Sequence, residues 1–369
     1  MLLRSERVRP LLLALLFLFT QVGAQNPSSQ SPSPSSASAQ NPPSPFSGQA
    51  QPVAPGSEAA ARPENSQTGG EGAVASSPPP QDQNQPTKDN TTFVFKAEVQ
   101  NVVLHATVVD DKNRQVMNLE QSAFTVLEND QPQTIISFSR EDVPVAMGIV
   151  IDNSGSMREK RDKVNRAALN LVRSSNPQDQ VFVVNFNDEY YLDQPFTNNI
   201  NLLKEALEKV EARGGTALYD AIVASADYMK RNARLQKKVI FVVTDGEDNA
   251  SRETLEEAVR RLQEENGPAV YAIGLLGEER ARRARRALET IAQRTGGIAF
   301  LPRTIDEVDE ISRTVAHDIR SQFAIGYKPT TPKSVGGYRT VRVQARAKGY
   351  GKLTVRTRSG YYPGQEQAQ

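Results

Sequence analysis

The chain contains no cysteine, and its only histidines are His105 and His317. Without cysteine there can be no disulfide, thiolate zinc site, thiol nucleophile or cysteine-borne lipid anchor. Two histidines, far apart in the chain, make a His-rich metal centre or a Ser-His-Asp triad a poor fit. Charge of one sign is also lacking. The 44 Lys and Arg stand against 43 Asp and Glu, a net charge of +1. No global field draws the chain to nucleic acid or to an anionic membrane. After residue 25 no apolar run approaches the roughly 18 residues of a membrane span.

The first 24 residues read as a targeting segment. Arg4, Arg7 and Arg9 precede the apolar run Leu11 to Phe19, and Val22-Gly23-Ala24 supplies small residues before Gln25. Basic, apolar, then small is the order of a secretory signal peptide; the run is short for a retained anchor. Export of the mature chain is the expectation, to the periplasm, the cell surface or the medium. Residues 25–91 hold 13 prolines among Ser, Gln, Asn, Ala and Gly, with no apolar periodicity. Such a segment cannot bury enough surface to offset its ordering entropy and reads as a disordered tether. Residues 364–369 read as a short disordered tail.

The rest divides by period. Residues 92–142 alternate in the manner of strands: Phe93 to Val99, Val103 to Thr107, Phe124 to Leu127 and Thr134 to Phe138, with Asn129-Asp130 as a hairpin turn. From 143 the pattern changes. Val143–Ile151, Val181–Phe186, Val239–Val243 and Val270–Gly274 are continuous apolar runs, as in strands covered on both faces. Between them lie segments of helical spacing, 158–174, 202–210, 217–231, 254–265, 281–294 and 305–321, with Tyr190–Phe196 as a short edge strand. Alternating buried strands and helices specify a doubly wound, mostly parallel α/β sheet over 143–321. Residues 322–363 return to alternation. The two flanks are expected to pair into one small β-rich subdomain, packed in part by Tyr338, Tyr350, Tyr361 and Tyr362.

Three polar patches fall where buried strands end. They are Asp152-Asn153-Ser154-Gly155-Ser156, Gly214-Gly215-Thr216, and Thr244-Asp245-Gly246-Glu247-Asp248. Ligands of open α/β sheets bind beyond the carboxyl ends of the strands, so the three patches should converge. Asp152, Ser154, Ser156, Thr216 and Asp245 offer only oxygen, which suits Mg²⁺, Ca²⁺ or Mn²⁺ rather than zinc or copper. The few carboxylates favour Mg²⁺. A helix N-terminus nearby disfavours a cation, and the two carboxylates must offset it. Five groups, some acting through water, leave a coordination position open for an outside oxygen. Helix capping explains one hydroxyl of the first loop but not the whole set.

These residues resemble the metal-ion-dependent adhesion site of the von Willebrand factor type A domain: DNSGS at 152–156, GGT at 214–216 and TDGED at 244–248. The resemblance covers about 143–321. It implies that Ser154, Ser156 and Thr216 ligate the ion, with Asp152 and Asp245 acting directly or through water. The flanks, FSREDVPV at 138–145 and the GYKP to GYY stretch at 326–362, resemble a bacterial group of related proteins and carry little functional information.

The reading that follows is an exported, metal-dependent binding module that grips an Asp or Glu of a protein partner, and not an enzyme. One alternative is a structural or assembly component that recognises partners through its β flank. Another is a Mg²⁺-dependent phosphoryl-transfer enzyme, which would want a second acid beside Asp152 and a phosphate-binding Lys; the loop offers Asn and Ser instead. No nucleophile elbow or phosphate-cradling glycine loop is present. Glu247 and Asp248 read as solvated charges or caps, and Asn185 to Asp188 as a loop at the same sheet edge that could line the site. The five arginines of 280–286 read as a solvated helix face, and His105 as a partly buried structural residue.

Overall fold

The computed structural model describes residues 101–140, 142–277 and 281–364. The expected targeting segment, tether, first strand at 93–99 and C-terminal tail lie outside the described residues. Everything described belongs to one compact unit, Ser44–Gln369.

The frame is set by β5 (Val145–Asp152), in which every residue is buried. A strand with apolar side chains on both faces can sit only in the middle of a sheet covered twice. Here β5 pairs in parallel with β6 (Gln180–Phe186) on one side and β8 (Lys237–Thr244) on the other. The sheet continues through β9 (Ala269–Gly274) to β10 (Ala299–Phe300), and ends at the opposite edge in antiparallel β7 (Tyr190–Thr197). Met147, Ile149 and Ile151 of β5 face α1 (Arg161–Arg173), α2 (Ile200–Glu208) and α6 (Val308–Arg320). The alternate residues of the sheet, Val150 and Ile240 among them, face α3 (Leu218–Asn232), α4 (Leu255–Leu262) and α5 (Ala281–Thr295). This is the expected doubly wound sheet.

The α4 helix has eight residues, too few to persist alone in water. It is held by a capping box, with Glu257 N donating to Thr254 Oγ1 at 3.2 Å and Thr254 N to Glu257 Oε2 at 2.8 Å, and by burial of Ala258 and Leu262.

The flanks form two further sheets that share a core. One has the order β13 (Thr354–Arg356), β1 (Val102–Val109), β11 (Phe323–Tyr327), β4 (Ile135–Ser139). The other runs β14 (Gly360–Tyr361), β12 (Arg339–Ala345), β2 (Phe124–Glu128), β3 (Gln131–Gln133). Leu104, Val126, Ile325 and Val343 meet between them. Each sheet takes strands from both flanks, so neither flank completes its own pairing.

Two local expectations need correction. The Asn129-Asp130 turn, with φ of 48° and 61°, joins β2 to β3, whereas 135–139 departs to the other sheet. The strand Gln131–Gln133 has no apolar alternation to announce it. Among the tyrosines, Tyr361 is buried in the β core, but Tyr350 stays exposed and donates to Asn118 Oδ1 at 2.7 Å. Tyr338 and Tyr362 pack against each other with their rings tilted by 54° at the seam with α4, where Gln263 donates to the Tyr338 hydroxyl at 2.8 Å.

Candidate metal centre

The order of the strands creates the site. After β5 the chain turns outward through α1 to β6, and it later returns to the other side of β5 as β8. The helices leaving β5 and β8 pass to opposite faces, which opens a crevice at their carboxyl ends. Asp152 ends β5, and Asp245 follows the last residue of β8.

Register fixes the first carboxylate. Ile151 lies opposite Val243, so Asp152 and Thr244 are neighbours. Asp152 is fully buried, with Oδ2 accepting from the Thr244 hydroxyl at 2.6 Å and Oδ1 from Ser154 N at 2.7 Å. Burial pushes its carboxyl above the ordinary range; the Thr244 and Ser154 hydrogen bonds pull it back, and Asp245 adds repulsion.

The other oxygens gather in front of it. Ser154 Oγ lies 3.2 Å from Ser156 Oγ, and the Ser156 hydroxyl donates to Asp245 Oδ1 at 2.7 Å, across 89 residues of sequence. The Gly214-Gly215-Thr216 loop is laced to the first: Gly155 N donates to Gly214 O at 3.2 Å, and Arg213 N to Asn153 O at 2.7 Å. Thr216 is buried beside the Asp245 loop. A Cβ placed on Gly246 would stand 3.4 Å from Thr216 Oγ1, and Asn249 N donates to Thr216 O at 3.0 Å. All five expected residues therefore meet at one rim.

Several further groups support the five oxygen donors. Thr244 orients Asp152. Lys160, one turn past the loop, places its ammonium on Asp245 Oδ2. Asp188 Oδ1 accepts from Gly215 N at 2.8 Å, and Ala217 N donates to Asn187 O at 2.6 Å, so the 185–188 segment braces the GGT loop. Asp248 caps α3, accepting from Tyr219 N at 3.0 Å, and Glu247 pairs with Arg283 at 3.1 Å. Both fit the reading as caps or solvated charges. Thr244 was in the quoted motif, but only strand pairing shows its role. Lys160 reaches the site from a position that no local spacing marks, whereas Asp188 comes from the loop expected at this sheet edge.

A cleft of about 720 Å³ opens over the rim, lined by Ser156, Lys160, Thr216, Asp245, Glu247 and Arg283 among others. No cluster of three His, Asp or Glu residues suited to a metal occurs among the described residues. A site here would depend on hydroxyls as much as carboxylates.

Residues 147–247 match the sequence model of the von Willebrand factor type A domain. The chain carries a von Willebrand factor type A domain. Its sheet, with helices on both faces, is the fold of that domain, and the two β sheets are additions to it. Two curated proteins are similar over part of the chain. An uncharacterised protein of Synechocystis is 27% identical over 109 residues, 29% of this chain and 26% of its own length. The inter-alpha-trypsin inhibitor heavy chain H4 of Bos taurus is 27% identical over 117 residues, 28% of this chain and 13% of its own. The chain thus spans about a quarter or less of these relatives. Among solved structures, a von Willebrand factor type A protein from Catenulispora acidiphila aligns over 74% of this chain and 76% of its own, at 15% identity and a TM-score of 0.43. Among the described residues, no helix is long and apolar enough to cross a membrane.

Proposed function

We propose that Asp152, Ser154, Ser156, Thr216 and Asp245 hold a divalent cation, Mg²⁺ first and Ca²⁺ or Mn²⁺ as alternatives. With the ion held by these residues, the site would take an Asp or Glu carboxylate of a protein partner. The observation that carries this reading is the chain of oxygens from Ser154 to Ser156 to Asp245, assembled from separate loops in front of a buried Asp152.

The residues fit a hard cation on two counts. Every donor is oxygen. The ammonium of Lys160 already stands against Asp245, so the cluster attracts positive charge without any ion. Bound, the ion would supply Lewis acidity and a point of attachment; the protein supplies preorganised oxygens and a cleft that admits a carboxylate. The set is one of ligation rather than turnover. The nearest basic group, Lys160, is tied to Asp245, and Asp245, the second acid of the rim, also accepts from the Ser156 hydroxyl, so both are committed within the site. The targeting-type order of residues 4–24 supports a reading in which this binding takes place outside the cytoplasm.

Calorimetric titration of the full chain with Mg²⁺ and Mn²⁺, repeated on Asp152→Ala, tests the ion. Saturable binding that the variant loses is expected. A wild-type chain that takes up neither ion refutes the metal reading. Partner recognition is then checked by pull-down from envelope extract with and without chelator; capture that survives chelation and Asp152→Ala alike places recognition on the β flank.

A further inference from the structure

At the opposite end of the sheet from the metal rim, the seam with the β sheets encloses a cavity of about 520 Å³. That volume is ordinary for a small-molecule site. Four basic side chains line it: His105 from β1, Lys237 and Lys238 from the start of β8, and Arg358 from the C-terminal flank. Among the described lining residues there is no Asp or Glu. The remaining wall is largely apolar, with Val103, Val143, Pro144, Leu235 and Ala324. Val103 is 46% exposed, an unusual position for a valine in an otherwise buried strand.

The cations are anchored but not neutralised. Lys237 is buried and donates to Ile319 O at the end of α6, an uncharged acceptor. Arg358 donates to Glu264 O at 2.9 Å and Gly360 O at 3.2 Å, again carbonyls. The carboxylates close enough to influence Lys237 are committed elsewhere. Asp318 accepts from Arg356, Gln115 and Tyr271, Asp142 pairs with Arg320, and Asp179 accepts from Val145 N and Asn176 N. Glu265, which acts on Arg358, pairs with Lys333 at 2.9 Å. Desolvation lowers Lys237 to about 8 and Arg358 to about 10, and both cations repel a proton from His105. Buried charge without a counter-ion is costly, and a bound anion relieves that cost. Thr357 Oγ1, also at the wall, is buried without a hydrogen-bond partner.

We propose that this cavity binds a small organic carboxylate with an apolar body, its head group on Arg358 and the lysines and its body against Val103, Val143 and Leu235. Such a ligand touches the type A domain and the β sheets together and ties them across the seam. A positively charged or purely apolar molecule of the same size gains nothing from the lysines and Arg358.

The test is titration of the full chain with decanoate, with decanol and decyltrimethylammonium as controls, followed by calorimetry and thermal unfolding. Saturable one-to-one decanoate binding with a rise in Tm is expected, with decanol at least tenfold weaker and the cation not bound. Arg358→Gln should weaken decanoate at least tenfold. Because Arg358 also pins two loops, Ala324→Phe, which fills the cavity from a half-buried position, serves as a second variant; with an unchanged Tm it should abolish binding. Absence of decanoate binding, equal binding of decanol, or decanoate binding that survives Ala324→Phe overturns the proposal.

Discussion

At the scale of single residues, the site is governed by what surrounds Asp152. A buried carboxylate costs several kcal/mol unless donors compensate it, and here they are the Thr244 hydroxyl and Ser154 N. Groups that orient a ligand commonly change metal affinity by about 10–100-fold. Thr244→Val is therefore expected to weaken Mg²⁺ binding about tenfold without loss of fold, and Thr244→Ser to restore it; calorimetry on both variants checks this. Lys160 acts in the other direction. Its ammonium shares Asp245 with any incoming ion, so Lys160→Met should tighten Mg²⁺ binding, most visibly at low ionic strength where the competing charge is least screened. Weaker binding in that variant would show that the lysine organises the site instead. The five oxygen donors were legible because each lies in a loop whose local spacing carries the pattern. Their supports were not, since Thr244 acts through strand register, and Lys160 and Asp188 through contacts 85 and 27 residues away.

At the scale of elements, the buried strands were the easiest to read, and Gly148 shows how tightly they are packed. It sits in the middle of β5, and a Cβ added there would lie 2.4 Å from Phe182 Cζ. The ring is fully buried and wedged against Phe196 and Tyr228, so it has little room to retreat. Gly148→Ala is expected to cost about 1–3 kcal/mol by overpacking, measured by denaturant unfolding. The strands that sequence periodicity missed are short, β3 with three residues and β14 with two. Pairing alone makes them strands, and pairing is a long-range property. His105 in β1 gives a further measurable consequence. Burial, with help from Lys237 and Arg358, lowers its pKa from 6.5 to about 3. Between those values the unfolded chain takes up a proton that the folded chain refuses, so this group removes stability as pH falls from 6.5 toward 3. Asp152 and Asp179, raised by burial, work in the opposite sense. The Tm loss between pH 7 and pH 4.5 should thus shrink in His105→Gln, by about 1 kcal/mol after allowing for the ring's partial exposure, or roughly 2–4 °C.

At the scale of the whole molecule, the type A domain and the β sheets are joined by polar contacts beside α4 and at the end of α6, and the second of these draws in the most elements. The α6 helix runs almost directly into β11, with only Ser321 and Gln322 between them. Near its end Asp318, itself buried, accepts from the Tyr271 hydroxyl of β9 at 2.6 Å, from Gln115 at 2.7 Å and from Arg356 of β13 at 2.7 Å. One carboxylate thus joins the central sheet, its last helix and both flanks. The alternation of residues 322–363 announced the β pieces and their association, but not this joint, because Gln115, Tyr271, Asp318 and Arg356 are scattered over 241 positions and none stands in a pattern. Removing one partner of a fully buried ion pair costs about 3–5 kcal/mol. The Arg356 side chain keeps 27% of its exposure, so water screens part of that loss and about 2 kcal/mol is expected for Asp318→Asn. Tyr271→Phe deletes one neutral donor and should cost about 1 kcal/mol. The two variants differ in more than size. Asp318→Asn weakens the joint between the sheets, so calorimetric unfolding should broaden or split into two transitions, the β sheets melting first. Tyr271→Phe should lower a single transition. If Asp318→Asn unfolds as sharply as the wild type, cohesion across the seam rests instead on the Gln263, Tyr338 and Ser359 contacts beside α4.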